Sequence, residues 1–268
     1  MITFYFLGNT TSTQMLGCVL LTPHNVVVFD GGLPADAAQL TTLLRQHGRH
    51  HVDAWFFTHP HGDHIGAFTE VRDVTVGTLY HHFPSWEMLY AYGARGDAEK
   101  GMWQRMEELC ATYPTVQLQQ NDTFSFDEAV VSVLRVFAPR IRENAINNSS
   151  TVYRIDTPHR SVLLLGDLGA EGGRALQAAC PARRLSADYT QLAHHGQGGV
   201  DRAFYEYIRP QRCLWATPAW LWENDNGGGP NSGPWKTGET RRWMQELGVT
   251  EHIVQKDGTA EIVLFEGE

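Results

Sequence analysis

The chain has 268 residues, of which 42% are hydrophobic and 19% charged, with a formal net charge of -9. The apolar share supports a sizeable core and excludes a disordered chain, and the length suits one large layered domain. The acidic balance argues against a surface that coats nucleic acid, since phosphate binding needs clustered Lys and Arg.

The elements follow in chain order. Residues 1–8 lack a basic stretch followed by a long apolar run, so they read as a strand and not as a secretion signal. Apolar, β-branched runs predict strands at 2–7, 15–21 and 25–29, with a turn at Pro23-His24-Asn25. Leu40, Leu43 and Leu44 share one face of a helix over 35–47. A short buried strand over 52–57 leads directly into His59. Helices are predicted at 86–92 and 98–113, and strands at 130–137, 151–155 and 162–165. Further helices are predicted at 172–179, 202–208 and 239–247. The last part reads as a hairpin, 252–255 and 260–265, turning at Asp257-Gly258. Residues 1–268 thus form a single domain, with a helical insertion at about 82–118. The Gly/Pro-rich stretch at about 222–236 is expected to be a mobile surface loop.

No stretch approaches the ~18 apolar residues of a membrane-spanning helix. Cys18, Cys110, Cys180 and Cys213 are widely spaced and form no CxxC pair, which suits reduced thiols in a cytoplasmic protein. Histidine is unusual in being grouped: there are 13, with His59, His61 and His64 close together and His194-His195 adjacent. The segment Thr58-His59-Pro60-His61-Gly62-Asp63-His64 concentrates three imidazoles and a carboxylate. It contains Pro and Gly, so it is read as a loop at a strand end. Such a mixed N/O donor set suits Zn, Fe or Mn, and a catalytic site better than a closed structural one.

This HxHxDH segment resembles the signature of the metallo-β-lactamase superfamily. Three further segments resemble its landmarks in the expected order: Val26 to Gly32, ending at Asp30; Leu163 to Asp167; and Leu192 to Gly196. The resemblance implies an α+β fold, the four-layer αββα sandwich, with metals at one edge. It implies His59, His61, Asp63, His64 and His195 as ligands, Asp167 as a bridging ligand, and Asp30 as a support orienting a ligand imidazole. Either histidine of the 194–195 pair can be the ligand; His195 is preferred, leaving His194 to face substrate. One departure stands out. The midway histidine of many members has no counterpart, and Asn147-Asn148-Ser149-Ser150-Thr151-Val152 occupies that part of the chain. That variant resembles the branch containing competence-protein hydrolase domains and phosphorylcholine esterases. Asn147 and Ser150 then become supporting residues.

The expected function is hydrolysis by a metal-bound hydroxide held by two divalent ions, Zn for preference, with Asp63 and His194 catalytic. A small phosphodiester is the favoured substrate, with nucleic acid not favoured. Lactone, thioester or other acyl hydrolysis is the alternative, and a diiron redox or non-catalytic metal protein the alternative of another class. The aromatics Tyr80, Trp86, Trp222 and Trp235 are read mainly as packing, with a stacking pocket as the functional possibility. Arg154 and Lys236 are candidate phosphate contacts.

Overall fold

The computed structural model describes residues 1–94 and 96–267. Arg95, inside the expected insertion, and Glu268 lie outside the described residues. The first half of the chain supplies β1 (Ile2–Phe6), β2 (Gly17–Leu21), β3 (Val26–Asp30), β4 (His51–Phe56), β5 (Thr75–His81) and β6 (Thr115–Gln117). The second half supplies β7 (Thr123–Phe126), β8 (Ala129–Arg135), β9 (Val152–Asp156), β10 (Ser161–Leu164), β11 (Tyr189–Gln191), β12 (Arg212–Trp215) and β13 (Glu251–Val254). Each set forms one sheet. A final strand, β14 (Ala260–Phe265), returns to the first sheet and pairs with β1.

The two sheets share a plan. β1 to β3 form an antiparallel meander and β3 to β6 run parallel. Likewise β7 to β10 are antiparallel and β10 to β13 parallel. The central strands are buried on both faces, which explains their continuous apolar runs. In β3, Val27 and Phe29 face the second sheet, while Val26 and Val28 face the helices. The inter-sheet core joins Phe4, Phe6, Phe29 and Phe56 to Val131, Tyr153, Ile155 and Leu164.

Helices cover both outer faces. Leu40 and Leu44 of α1 (Ala37–Gln46) and Ile65 and Phe68 of α2 (Gly62–Glu70) pack on the first sheet. After α3 (Trp86–Ala91), α4 (Asp97–Thr112) adds Met106 to that layer. On the second sheet, α5 (Ala145–Asn148) precedes β9, and α6 (Ala170–Ala179), α7 (Ala182–Leu185) and α8 (Arg202–Ile208) contribute Leu176, Leu185 and Phe204. Then come α9 (Ala219–Trp222) and α10 (Thr237–Glu246), whose Met244 is buried in the same cluster. The result is an αββα sandwich. Among the described residues, no helix is long and apolar enough to cross a membrane.

Two local expectations need correction. The terminal pair is not a hairpin: β13 joins the second sheet and β14 the first. Buried Gln255 sits between them and donates to the Leu7 carbonyl at 2.7 Å, which draws the chain across from one sheet to the other. The metal-loop reading also holds only as far as His61, because α2 begins at Gly62 and takes Asp63 and His64 into its first turn. Gly66 lets this helix approach the chain at Pro34 closely; a Cβ there would lie 2.4 Å from Pro34 Cδ.

Candidate metal centre

The strands that deliver the candidate ligands do so at their C-terminal ends, the usual location of sites on parallel sheets. Asp30 closes β3, and the segment from Thr58 to His64 follows β4. Asp167 follows β10, His194 and His195 follow β11, and the Ala216 carbonyl follows β12. Tyr153 of the second sheet donates to the Phe57 carbonyl at 2.5 Å, fastening the two sheets directly beneath this edge.

The donor atoms gather into two groups that could each hold a metal ion. One is His59, His61 and Asp167; the other is Asp63, His64 and His195; within each group the atoms lie within 4.8 Å of one another. Asp167 stands between them. Its Oδ1 is 3.2 Å from His64 Nε2, and its Oδ2 is 3.4 Å from His195 Nε2 and 3.7 Å from His59 Nε2. Asp63 Oδ2 is 3.2 Å from His195 Nε2. His194 Nε2 is more distant, 4.0 Å from Asp167 Oδ2, and a quarter of its side chain is exposed (25%) while His195 is fully buried.

Hydrogen bonds fix which ring nitrogen faces inward. A buried carboxylate accepts only, so His64 Nδ1–H donates to Asp30 Oδ2 (2.7 Å), leaving the His64 Nε2 lone pair toward the centre. His195 Nδ1–H donates to the Ala216 carbonyl (2.8 Å), with the same result. Thr58 commits its hydroxyl proton to Asp30 Oδ2 (2.7 Å), so its oxygen accepts from His59 Nδ1–H at 3.1 Å. Asp30 thereby sets an imidazole in each group. His59 Nε2 and His61 Nδ1 face one another at 3.0 Å, while Glu99 lies 3.9 Å from the far nitrogen of His61. His64 Nε2, His195 Nε2 and Asp167 Oδ1 are buried without an aligned hydrogen bond among the described residues. Buried polar atoms are almost always partnered, and a divalent cation held by Asp63, His64 and His195 beside Asp167 would satisfy these.

His194, His195 and Gly196 form a consecutive left-handed turn, with φ of 51°, 54° and 77°. Two non-glycine residues in that region store backbone strain, which the surrounding bonds hold in place. His194 N donates to the Gly166 carbonyl (3.0 Å), and Trp215 packs so close to Gly196 that a Cβ would fall 2.5 Å from its ring.

The other expected residues divide by location. Asn147 is buried, with Nδ2 3.3 Å from His194 Nε2, and Ser150 Oγ accepts from Asp167 N at 3.0 Å. Both therefore touch the centre. Tyr80 does not; it stacks on Phe56 within the inter-sheet core, with ring centroids 4.5 Å apart. Trp86 packs in a small cluster with Leu89, Ala145 and Ile146. Trp222 stands edge-on to Trp215, and Trp235 to Trp220. Arg154 is bound to Asp156 at 2.8 Å. Sequence reasoning missed Gln14, which donates to Asp63 Oδ2 at 3.1 Å, and Arg135, whose buried guanidinium donates to the carbonyls of Ser150 and Asn148.

The sequence profile of the Metallo-beta-lactamase superfamily matches residues 18–194. The chain belongs to that superfamily. It is 25% identical over 176 residues to ComE operon protein 3 of Bacillus subtilis (strain 168), which covers 65% of this chain. The chain spans about a fifth, 21%, of that relative's length. Two solved structures share the fold along nearly the whole chain. One is the metallo-beta-lactamase fold protein YhfI from Bacillus subtilis (TM-score 0.58, 12% identity, 97% of this chain and 99% of that one). The other is a diphosphatase from the PhnP family (TM-score 0.56, 14% identity, 99% and 98%).

Electrostatics in this superfamily member call for positive charge at the centre. Burial pushes the His59 and His61 imidazoles down, so both stay neutral. Burial is the largest single effect on His64 and His195 and opposes their charge, but Asp167 and Asp30 together outweigh it at His64, and Asp167 and Asp63 together at His195. His64 ends well above the usual imidazole range, and His195 is pushed up to about 9. Burial alone would raise Asp167, yet His195 and His64 hold it well below the ordinary carboxylate range. Without ions, protons on two imidazoles balance the carboxylates. A bound cation serves the same purpose and displaces them.

Proposed function

We propose that this chain is a metal-dependent phosphodiesterase working with two divalent ions, Zn for preference. His59, His61 and Asp167 would hold one ion and Asp63, His64 and His195 the other, with Asp167 shared. The observation that carries this reading is the convergence of the two donor groups on one edge of the sandwich, with Asp167 between them and with His64 Nε2, His195 Nε2 and Asp167 Oδ1 buried without an aligned hydrogen bond. Divalent ions bound there supply a water that ionises near neutral pH and positive charge beside a phosphoryl oxygen.

The chain's own residues do the rest. Asp30 and Thr58 keep the imidazole lone pairs inward, and Asp63 and Asp167 provide the negative charge that retains the cations. His194 is neutral because burial lowers its pKa. At the half-open rim its Nε2 accepts from Asn147 Nδ2, which leaves the proton on Nδ1 as the N–H it would offer to an oxygen gaining negative charge. A cavity of about 520 Å³ opens beside His61, bounded by Tyr92, Glu99, Asn144 and Ile146, and is of a size to take the organic part of a small ester. Phosphorus is favoured over acyl carbon by the likeness of Asn147 to Val152 and of Ala193 to Gly196 to the phosphorylcholine-esterase branch. The shared fold of the PhnP-family diphosphatase agrees with that choice.

The test is a metal-resolved screen with bis-p-nitrophenyl phosphate, phosphorylcholine, a lactone and a thioester. Phosphodiester turnover that His59→Ala and Asp63→Asn abolish is the expected result. Turnover of only the lactone or thioester reassigns the substrate class, and protein without stoichiometric metal overturns the reading.

A further inference from the structure

We propose that Gln14 is a positioning residue for Asp63, and that Gln197 positions Gln14. This rests on the two-ion reading above and adds two residues to the second group. Gln14 Nε2 donates to Asp63 Oδ2 at 3.1 Å, and Gln197 Nε2 donates to Gln14 Oε1 at 2.8 Å.

The direction of this relay follows from chemistry. An ionised carboxylate accepts and never donates, so the Gln14 amide must turn its NH2 toward Asp63 and its oxygen away. That oxygen can be satisfied only by a donor, and Gln197 presents its NH2. Each amide orientation is thus fixed by the one before it, starting from Asp63.

The oxygen that Gln14 reaches is the one 3.2 Å from His195 Nε2. A carboxylate oxygen has two lone-pair directions; Gln14 takes one and leaves the other on the side of His195 Nε2. Gln14 thereby restrains the orientation of the carboxylate that would help to hold an ion. Gln197 itself follows the left-handed turn that carries His195, with its backbone N–H on the His194 carbonyl at 2.8 Å. The relay therefore joins the segment bearing Asp63 to the segment bearing His195 through side chains.

A purely structural role is a poor account of Gln14. The same segment is already tied to α2 by the backbone bond from Leu16 N to the Asp63 carbonyl at 3.0 Å. That bond survives any change at position 14. Both glutamines are half-buried, so water replaces part of what the relay provides. The expected effect is therefore at the low end of what outer hydrogen-bond partners of metal ligands contribute, about tenfold in affinity.

The experiment compares the wild-type protein with Gln14→Met, Gln197→Met and the double variant. Each is loaded with Zn, and the dissociation constant of each ion is measured by competition with a chromophoric chelator. In Gln14→Met one of the two ions should bind about tenfold more weakly and the other should be unchanged. Gln197→Met should show a smaller loss at the same ion, and the double variant should match Gln14→Met. Urea midpoints of the metal-free variants should stay at the wild-type value. The relay is overturned if Gln14→Met leaves both affinities intact, or if the two single losses add fully in the double variant. It is overturned too if lower metal-free stability alone accounts for the change. A wild-type protein that takes up only one ion overturns the two-ion reading, and the relay is then overturned only if Gln14→Met leaves the affinity for that ion intact.

Discussion

Replacing Asp30 by Asn exchanges one of two acceptor oxygens for a donor while keeping the shape. In the native arrangement Oδ1 accepts from Thr58 N at 2.8 Å, and Oδ2 accepts from both the Thr58 hydroxyl and His64 Nδ1 at 2.7 Å. A backbone N–H cannot change its polarity, so the asparagine oxygen must stay on Thr58 N. The new NH2 then faces His64 Nδ1, which has to accept. The His64 proton moves to Nε2, 3.2 Å from Asp167 Oδ1, and closes the lone pair on which the second group depends. Thr58 can still accept from the new amide, so most of the hydrogen bonding survives. Metal-free stability should fall by about 3–5 kcal/mol, because His64, protonated when no ion is bound, loses a buried ionic partner. Affinity for the ion at Asp63, His64 and His195 should fall by about 100-fold, the upper range for a partner that orients a ligand, or ~2.8 kcal/mol. Urea denaturation of metal-free protein and chelator competition of the loaded protein measure the two quantities separately. An Asp30→Asn protein that holds both ions with wild-type affinity refutes the assignment of the His64 tautomer.

Gly66→Ala drives a Cβ to 2.4 Å from Pro34 Cδ and 2.8 Å from Pro34 N, neither of which can swing aside. It should cost about 1–3 kcal/mol in the urea midpoint and shift α2 enough to reduce metal content. Arg135 is 5% exposed, and its hydrogen bonds to Ser150 and Asn148 brace the segment containing Asn147. Arg135→Met should lower stability by about 3 kcal/mol, since two buried carbonyls lose a charged donor while the cost of burying that charge is relieved. His81 is neutral in the fold: burial lowers its pKa to about 4, and its Nδ1 accepts from Phe83 N at 3.2 Å. Its folded pKa lies below the unfolded value of about 6.5. The associated stability is therefore complete above pH 6.5 and is lost as pH falls toward 4, by up to ~3 kcal/mol. The unfolding free energy of His81→Gln, followed from pH 7 to 4, should fall less than wild type by that amount; parallel curves would contradict it.

The centre was unusually legible because its chemistry is concentrated. Three imidazoles and a carboxylate within six residues, and later a strand ending at Asp167 and an adjacent histidine pair, leave a strong local trace. Gln14 leaves none, since a single glutamine in a polar loop gains meaning only from what the fold places opposite it. Arg135 was concealed in an apolar strand, where its register next to Ser150 is set by an irregularity between Val133 and Arg135. The terminal hairpin was misread for a related reason. Asp257-Gly258 is a strong turn signal, but the free edges at β12 and β1 offered each strand a better partner than the other. The helical start at Gly62 was hidden by glycine and proline, which mark a boundary without saying on which side the helix lies.

The position of β14 has a consequence for how the protein comes into being. β1 is the first strand in chain order, and its Ile2, Phe4 and Phe6 are completely buried in the finished fold. Yet one of its two edges is covered only by β14, the last strand in this order. Until β14 pairs there, the first sheet presents an open, apolar edge of the kind that pairs with other chains. Productive folding needs this contact between strands far apart in the sequence, so forms truncated before Ala260 should aggregate more readily than the intact fold.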